Sequence, residues 1–305
     1  MRITEEVAAA LRDGGPVVAL ESTLLAHGLP PGRNRKVATS VEDAVRAAGA
    51  VPATIAVLDG QIRVGLTDAD LDRVCAADAD LAKLSARDLG PAIALSRDGA
   101  TTIASTSVIA HAAGIPVFGT GGLGGVHLPA PDETTSWDVS ADLDVLASTP
   151  VTVVCSGVKS VLDIGATIEV LETRSIPVLG YRTDSFPSFY RRESRFPVPW
   201  RVNGPAEAAA VIAAHRAQGP GAGVLLTNPV PHEHEMAQEL HDRLLAEGMD
   251  KVAEGNVRGG DVTPVLLEHF HTASGGVSLD TNEALVLSNV ALAAEVAVAL
   301  ADLRQ

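Results

Sequence analysis

The sequence predicts a single α/β domain over residues 1–305, built as a three-layer α/β/α sandwich around a central, mostly parallel but mixed sheet. Short continuous apolar runs alternate with longer segments of helical periodicity, among them Pro16–Leu20, Ile115–Phe118, Val151–Cys155, Ile176–Gly180 and Gly223–Thr227. Strands covered on both faces by crossover helices read this way. One hairpin signal, Asp59-Gly60 between Thr54–Leu58 and Gln61–Val64, interrupts the alternation and makes the sheet mixed. A chain of 305 residues that is 46% hydrophobic can bury a core of this size, and neither a repeat nor a linker divides it.

The net charge of −15 argues against nucleic acid or an anionic membrane as a partner, while leaving room for a small anionic substrate in a local positive pocket. Cys75 and Cys155 sit in apolar contexts and form no disulfide framework, which fits a reducing cytoplasm. The start of the chain, Met1-Arg-Ile-Thr-Glu-Glu, is acidic and helical rather than signal-like. The most apolar helix, about Thr281–Leu303, carries Asn282, Glu283, Asn289 and Glu295, so it reads as a core helix and not a membrane span.

In order along the chain, the strand Pro16–Leu20 ends in Glu21-Ser22-Thr23. A carboxylate at the end of an apolar strand stands where α/β proteins place ligand-binding groups, and equally where a turn acid would stand. A helix over Asn34–Ala48 presents Val37, Val41, Ala44 and Val45 on one face, and Thr67 caps the next helix. Lys83 lies where a short strand meets a helix near Asp88, placed either to bind phosphate or to pair with that acid. Ala100–Ile103 runs into Ala104-Ser-Thr-Ser, a hydroxyl-rich helix start of the kind that binds anions or simply caps.

The strand Ile115–Phe118 leads into Gly119-Thr-Gly-Gly-Leu-Gly-Gly-Val-His127, which has the spacing of a dinucleotide fingerprint. The fingerprint requires a helix to follow, and Leu128-Pro-Ala-Pro cannot supply one. What survives is a glycine loop that lets backbone approach a ligand. Trp137–Asp142 opens the next helix with Ser140 as cap, and Asp132, Glu133, Asp138 and Asp142 either gather oxygen donors for a hard cation such as Mn²⁺ or Mg²⁺ or simply sit near a helix N-terminus for its dipole.

Lys159 follows the strand Val151–Cys155 at a Ser156-Gly157 turn, with helical spacing resuming to about Thr173. Only four of the 23 basic residues are lysines, Lys36, Lys83, Lys159 and Lys251. Where only positive charge was wanted, the chain uses arginine. A lysine kept among apolar neighbours points to amine chemistry, since an amine can lose its proton and attack a carbonyl carbon.

The arm 181–204 holds six of the nine aromatic residues among prolines and arginines, and reads either as a contact with a neighbouring subunit or as a cover over the site. A helix from about Pro205 follows, and helices over His232–Gly248, Thr263–Ser274 and Thr281–Leu303 close the chain. His232/His234 and His269/His271 have a spacing that diverges on a helix, so they read as surface histidines.

Together these stretches resemble the pseudouridine-5'-phosphate glycosidase, or indigoidine-synthase-A-like, family. The segments carrying the resemblance include Val18-Ala-Leu-Glu-Ser-Thr23, Lys83-Leu-Ser-Ala-Arg-Asp-Leu89, Ala100-Thr-Thr-Ile-Ala-Ser-Thr106, Thr120-Gly-Gly-Leu-Gly-Gly-Val-His127, Asp138-Val-Ser-Ala-Asp-Leu143 and Val153-Val-Cys-Ser-Gly-Val-Lys-Ser160. It extends over nearly the whole chain, through Asn228-Pro-Val-Pro231 and the Ser278–Asn289 region. The resemblance implies a Schiff-base nucleophile at Lys159, a proton donor at Glu21, a Mn²⁺ ligand at Asp138, and substrate contacts at Lys83, Ile103, Ser140, Ala141 and Asp142. Thr120, His127 and Asn282 match further pocket positions, and the family habit implies a homotrimer. Gly259-Gly-Asp-Val-Thr-Pro264 departs from the family pattern by lacking a lysine.

The implied reaction reversibly cleaves the carbon–carbon glycosidic bond of pseudouridine 5'-phosphate to uracil and ribose 5-phosphate. Its base is a poor leaving group, so the carboxylate pair of ordinary glycosidases is insufficient and an electron sink is needed. An imine on Lys159 supplies one. Two other readings stand beside it: the same imine chemistry on another phosphosugar or C-nucleoside, and a non-catalytic sugar-phosphate binding protein. A binder would need neither Glu21 nor Lys159.

Overall fold

The computed structural model describes all residues except 130–134, 220, 256, 258–261 and 304–305. In chain order the N-terminal part comprises β1 (Arg2–Ile3), α1 (Glu5–Arg12), β2 (Val17–Leu20), α2 (Thr23–His27), α3 (Arg33–Ala47), β3 (Val51–Leu58), β4 (Gln61–Val64) and α4 (Asp68–Cys75). Next come β5 (Ala82–Leu84), α5 (Leu89–Ala94), β6 (Gly99–Thr101), α6 (Ile103–Ala113), β7 (Val117–Gly119), β8 (Val126–His127), α7 (Ala141–Ser148) and β9 (Thr152–Cys155). The last part holds β10 (Leu162–Asp163), α8 (Ile164–Thr173), β11 (Val178–Tyr181), β12 (Trp200–Val202), α9 (Pro205–Arg216), β13 (Val224–Thr227), α10 (Gln238–Glu254), α11 (Val262–Ala273) and α12 (Val277–Asp302).

The main sheet runs β1-β4-β3-β2-β7-β9-β13-β11-β12, and β6 joins β3 to β5. From β3 to β12 along this path every neighbour is parallel. The antiparallel pairs are β3 with β4 and β3 with β6, so the sheet is mixed at one end only. The apolar runs read from the sequence become strands with no exposed residue: β2, β9 and β13 are buried throughout. Helices lie on both sides. The helix α12 packs along β2, β7 and β9 between α3 and α9, while α6 pairs with α7. By length and composition α12 could cross a membrane, but Asn282 and Asn289 are buried within it and its apolar side chains fill the core.

Caps fall where the residue types direct them. Thr67 accepts from the Asp70 amide while the Asp70 carboxylate accepts from the Thr67 amide, a reciprocal box at the start of α4. Ser140 caps α7, but that helix begins at Ala141 rather than at Trp137, because Val139 is drawn into a bridge with Val126.

The helix expected directly after Ser156-Gly157 begins only at Ile164. Gly157 adopts φ +75, and the Pro187 carbonyl passes 1.9 Å from where a Cβ would sit. That crossing stretch of the 181–204 segment, bridged to Gly157 at Ser188, holds the chain off helical geometry, and Leu162–Asp163 pairs with β8 instead. Similarly, the stretch expected to be helical from His232 forms a short 3₁₀ turn, His232–His234, before α10 starts at Gln238. Between them the Met236 amide donates to the Tyr190 carbonyl at 3.0 Å, which pulls this backbone out of the helix.

Within the 181–204 segment, Phe186, Phe189 and Tyr190 are buried in this chain's own core, and Tyr190 stacks on Phe270 with ring centroids 5.4 Å apart. Trp200, on the edge strand β12, is exposed.

Candidate active site

The order of the sheet reverses between β2 and β7: from β2 the chain goes to β3 on one side, and β7 later joins the other. Crevices for ligands open at the carboxyl ends of strands at such a point. Here those ends carry Glu21 after β2, the glycine loop after β7, and Ser156 to Lys159 after β9. Ser22 anchors the β2 end, donating to the Ile55 carbonyl at 2.7 Å and accepting from the Thr101 amide at 2.9 Å. That leaves Glu21 turned toward the crevice, where the Thr120 hydroxyl donates to its Oε1.

Two chambers meet here. The first, of about 350 Å³, is polar and brings together Glu21, Lys83, Ile103, His127, Asp138, Ser140, Ala141, Asp142 and Lys159. The starts of α6 and α7 border it, so the positive ends of two helices face the same space. The Asp142 carboxylate builds this floor: its two oxygens accept from the Ala104 amide at 2.9 Å and the Gly124 amide at 3.0 Å, tying α6, α7 and the glycine loop together. Gly124 is required for it, since a Cβ there would lie 2.3 Å from the Ser140 Oγ.

Two hydroxyls of the Ala104-Ser-Thr-Ser stretch, open from sequence to anion binding or capping, are consumed internally. Ser105 donates to the Leu84 carbonyl and Thr106 to the Thr101 hydroxyl. Asp88 accepts from the Ser85 amide and makes no pair with Lys83, whose ammonium is free to face the chambers.

The second chamber, of about 570 Å³, shares Glu21, Thr23, Lys83 and Lys159 with the first and continues past Gly121, Gly122 and Phe189 to Asn282 on α12 and to α11. Its walls include Leu24, Leu29, Phe189 and Leu267. Thr120 lines neither chamber; it acts on Glu21 from behind.

Phe189 and His271 are additions to the residues named from sequence. His271 is half-buried and lines the second chamber, and His269 is buried against Glu247 at 3.2 Å, so neither is a surface histidine. The signal was present: Pro264, Leu267, Glu268 and His271 follow helical spacing and face one way. His232 and His234 are exposed.

Electrostatics divide the roles. Glu21 shows part of its residue surface to the cavity, yet its carboxyl is enclosed, and this burial pushes it above the ordinary carboxylate range. The Lys159 ammonium, the Thr120 hydroxyl and Lys83 counteract in smaller measure. The Lys83 ammonium is held below the usual lysine range by burial first and by Lys159 second. Burial likewise lowers His127, against the pull of Asp138.

Asp138 fits a hard cation held by one carboxylate with water completing the shell. Its Oδ2 is buried with no hydrogen-bond partner, and the His127 Nδ1 lies 3.6 Å away. No group of three or more His, Cys, Asp or Glu is clustered among the described residues, so a cage made of protein alone does not fit there. Asp132, Glu133 and the Gly259-Gly-Asp departure lie outside the described residues.

Against known proteins, the model for "Indigoidine synthase A like protein" matches residues 6–299. The chain is 53% identical over 297 residues to the pseudouridine-5'-phosphate glycosidase of Salinispora tropica, covering 97% of this chain and 90% of that one. It is 52% identical over 298 residues to the protein of the same name from Symbiobacterium thermophilum, with 97% and 96% covered. Among solved structures, the prealnumycin C-glycosynthase AlnA, in complex with ribulose 5-phosphate, superposes with a TM-score of 0.91 at 39% identity, covering 99% of this chain and 97% of that one. An indigoidine synthase A-like protein from Thermotoga maritima gives 0.88 at 33% identity, with 98% and 96% covered.

Proposed function

Because the chain belongs to the indigoidine synthase A-like family, we propose that it is a pseudouridine-5'-phosphate glycosidase working through an imine on Lys159. The observation that carries the reading is the seam between the chambers. Glu21, Lys83 and Lys159 line both, so a molecule with its anionic sugar in the polar chamber and its flat base against Phe189 places the joining bond beside them.

In the polar chamber, Lys83 and the first turns of α6 and α7 receive the phosphate. Glu21, whose protonated form burial favours, gives its proton to the ring oxygen as the ribose opens. Lys159 then bonds to the anomeric carbon as the amine, and the Glu21 carboxylate takes up the proton that its nitrogen gives off. Glu21 passes that proton to the uracil carbon, the carbon–carbon bond breaks with the nitrogen lone pair closing an imine, and uracil leaves. Water hydrolyses the imine and frees ribose 5-phosphate. Each step reverses. Asp138 would hold Mn²⁺, whose charge would neutralise phosphate oxygens and so favour binding. In this reading the protein is a cytoplasmic homotrimer.

The direct test is to incubate the protein with ribose 5-phosphate, reduce with borohydride and map the adduct by mass. We expect one adduct, on Lys159, and loss of uracil release in Lys159→Ala; full turnover by that variant would sink the proposal. Repeating the assay after chelation, and with Asp138→Ala, tests the cation, since unchanged substrate KM in both would exclude it.

A second reading is the same chemistry on a C-nucleotide with another aglycone. It is favoured by the size and apolar wall of the second chamber, and by the likeness to a C-glycosynthase. Turnover compared across phosphorylated C-nucleosides separates the two.

A further inference from the structure

Asn289 lies in the middle of the long apolar helix α12, is fully buried, and lines neither chamber. A buried amide in such a helix is costly unless all its hydrogen-bonding capacity is used. Here it is used on three different strand ends. The Nδ2 group donates to the Thr120 carbonyl at 2.8 Å and the Gly121 carbonyl at 3.2 Å, and lies 3.0 Å from the Ser156 Oγ. The Oδ1 accepts from the Asn228 Nδ2 at 3.0 Å and from the Ser156 hydroxyl at 3.3 Å. The two carbonyls require the nitrogen on their side, which fixes the orientation of the amide.

These partners follow β7, β9 and β13, the central parallel strands. Thr120 is thereby held at three points. Its amide donates to the Val154 carbonyl at 3.0 Å, its carbonyl accepts from Asn289, and its hydroxyl donates to Glu21. Thr120 is the sole hydrogen-bond partner of the Glu21 carboxyl among the described residues.

We propose that Asn289 is a positioning residue for the Glu21 acid, acting through Thr120 rather than through contact with substrate. The amide sets the backbone of Thr120, the backbone sets where the hydroxyl points, and the hydroxyl fixes the carboxyl's orientation and its hold on the proton. A helix packed along β2, β7 and β9 thus controls the proton donor. The inference rests on the reading of Glu21 as the acid.

Asn289→Asp keeps the shape but turns an oxygen toward two carbonyls. Alongside it, Thr120→Val, the double variant and Glu21→Gln are assayed for uracil release from pseudouridine 5'-phosphate across pH, with thermal melts as a control. We expect Asn289→Asp to lower kcat about 10–100-fold, as a small misplacement of a reacting group does, with KM changed less than about threefold. Losing the hydroxyl removes a bond to the charged carboxylate. The alkaline limb of kcat/KM therefore moves to higher pH in Thr120→Val and in Asn289→Asp alike. The double variant should be no worse than Thr120→Val alone. Losses that multiply in the double variant, or a lowered melting temperature with the limb unmoved, would overturn the proposal. Should Asn289→Asp fail to fold, Thr120→Val still decides, because an unmoved limb there removes the route by which Asn289 acts. Full activity of Glu21→Gln would instead refute the acid assignment itself, whatever the other variants do.

Discussion

Glu21 illustrates how a single residue acquires a role that its type alone does not confer. Burial raises its carboxyl above the ordinary carboxylate range, which in the proposed reaction favours the protonated form that donates. As pH rises through the raised carboxyl pKa the proposed donor is lost, so the rate should fall on the alkaline side. In Glu21→Gln we expect that limb to disappear along with most of the turnover, measured as kcat/KM for uracil release against pH. Lys83 adds a second alkaline effect through binding, because its ammonium is depressed and phosphate affinity falls once it deprotonates. Glu21 and Lys159 stand out in the sequence because one ends an apolar strand and the other is among few lysines. Thr120 could be named but not placed: a hydroxyl in a glycine loop gives no indication whether it faces a ligand or a neighbouring acid. His271 was legible only to someone who followed the helical period of α11 inward.

Among the elements, the strands were the most readable, because burial on both faces leaves continuous apolar runs with turn residues at their ends. The errors fell where a distant segment intervened. The start of α8 was displaced by the chain crossing at Pro187, and the start of α10 by the bond from Met236 to Tyr190. Neither partner is within helical reach in sequence, so periodicity carries no trace of them. The join of α6, α7 and the glycine loop at Asp142 is similarly non-local, and it has a measurable consequence. Asp142→Ala strands the Ala104 and Gly124 amides without their acceptor, which should cost about 1–3 kcal/mol of stability. A fall in melting temperature together with a higher KM for ribose 5-phosphate is the expected result; a changed KM at unaltered stability would mean that Asp142 serves the ligand alone.

For the molecule as a whole, the 181–204 segment bears on assembly. Phe186, Phe189 and Tyr190 are part of this chain's own interior, so cutting the segment away would unfold the protein rather than merely separate subunits. The surface to question is Trp200 on the edge strand β12, exposed beside the unpaired side of the sheet. We expect sedimentation of the intact protein to give a trimer and Trp200→Glu to shift it toward monomer, while a monomer at every concentration would refute the trimer.

The position of β7 between β2 and β9 has a further consequence, for how the protein comes into being. The strand closing the middle of the sheet pairs on one side with residues about a hundred positions earlier, Val18–Leu20, and α12 must then lay Asn289 across the ends of β7 and β9 from the far end of the chain. Contacts of such long range are entropically expensive to close and form late. No segment emerging first from the ribosome can hold a working centre, so catalytic power should return on refolding only with the last, global phase, well after helices have formed.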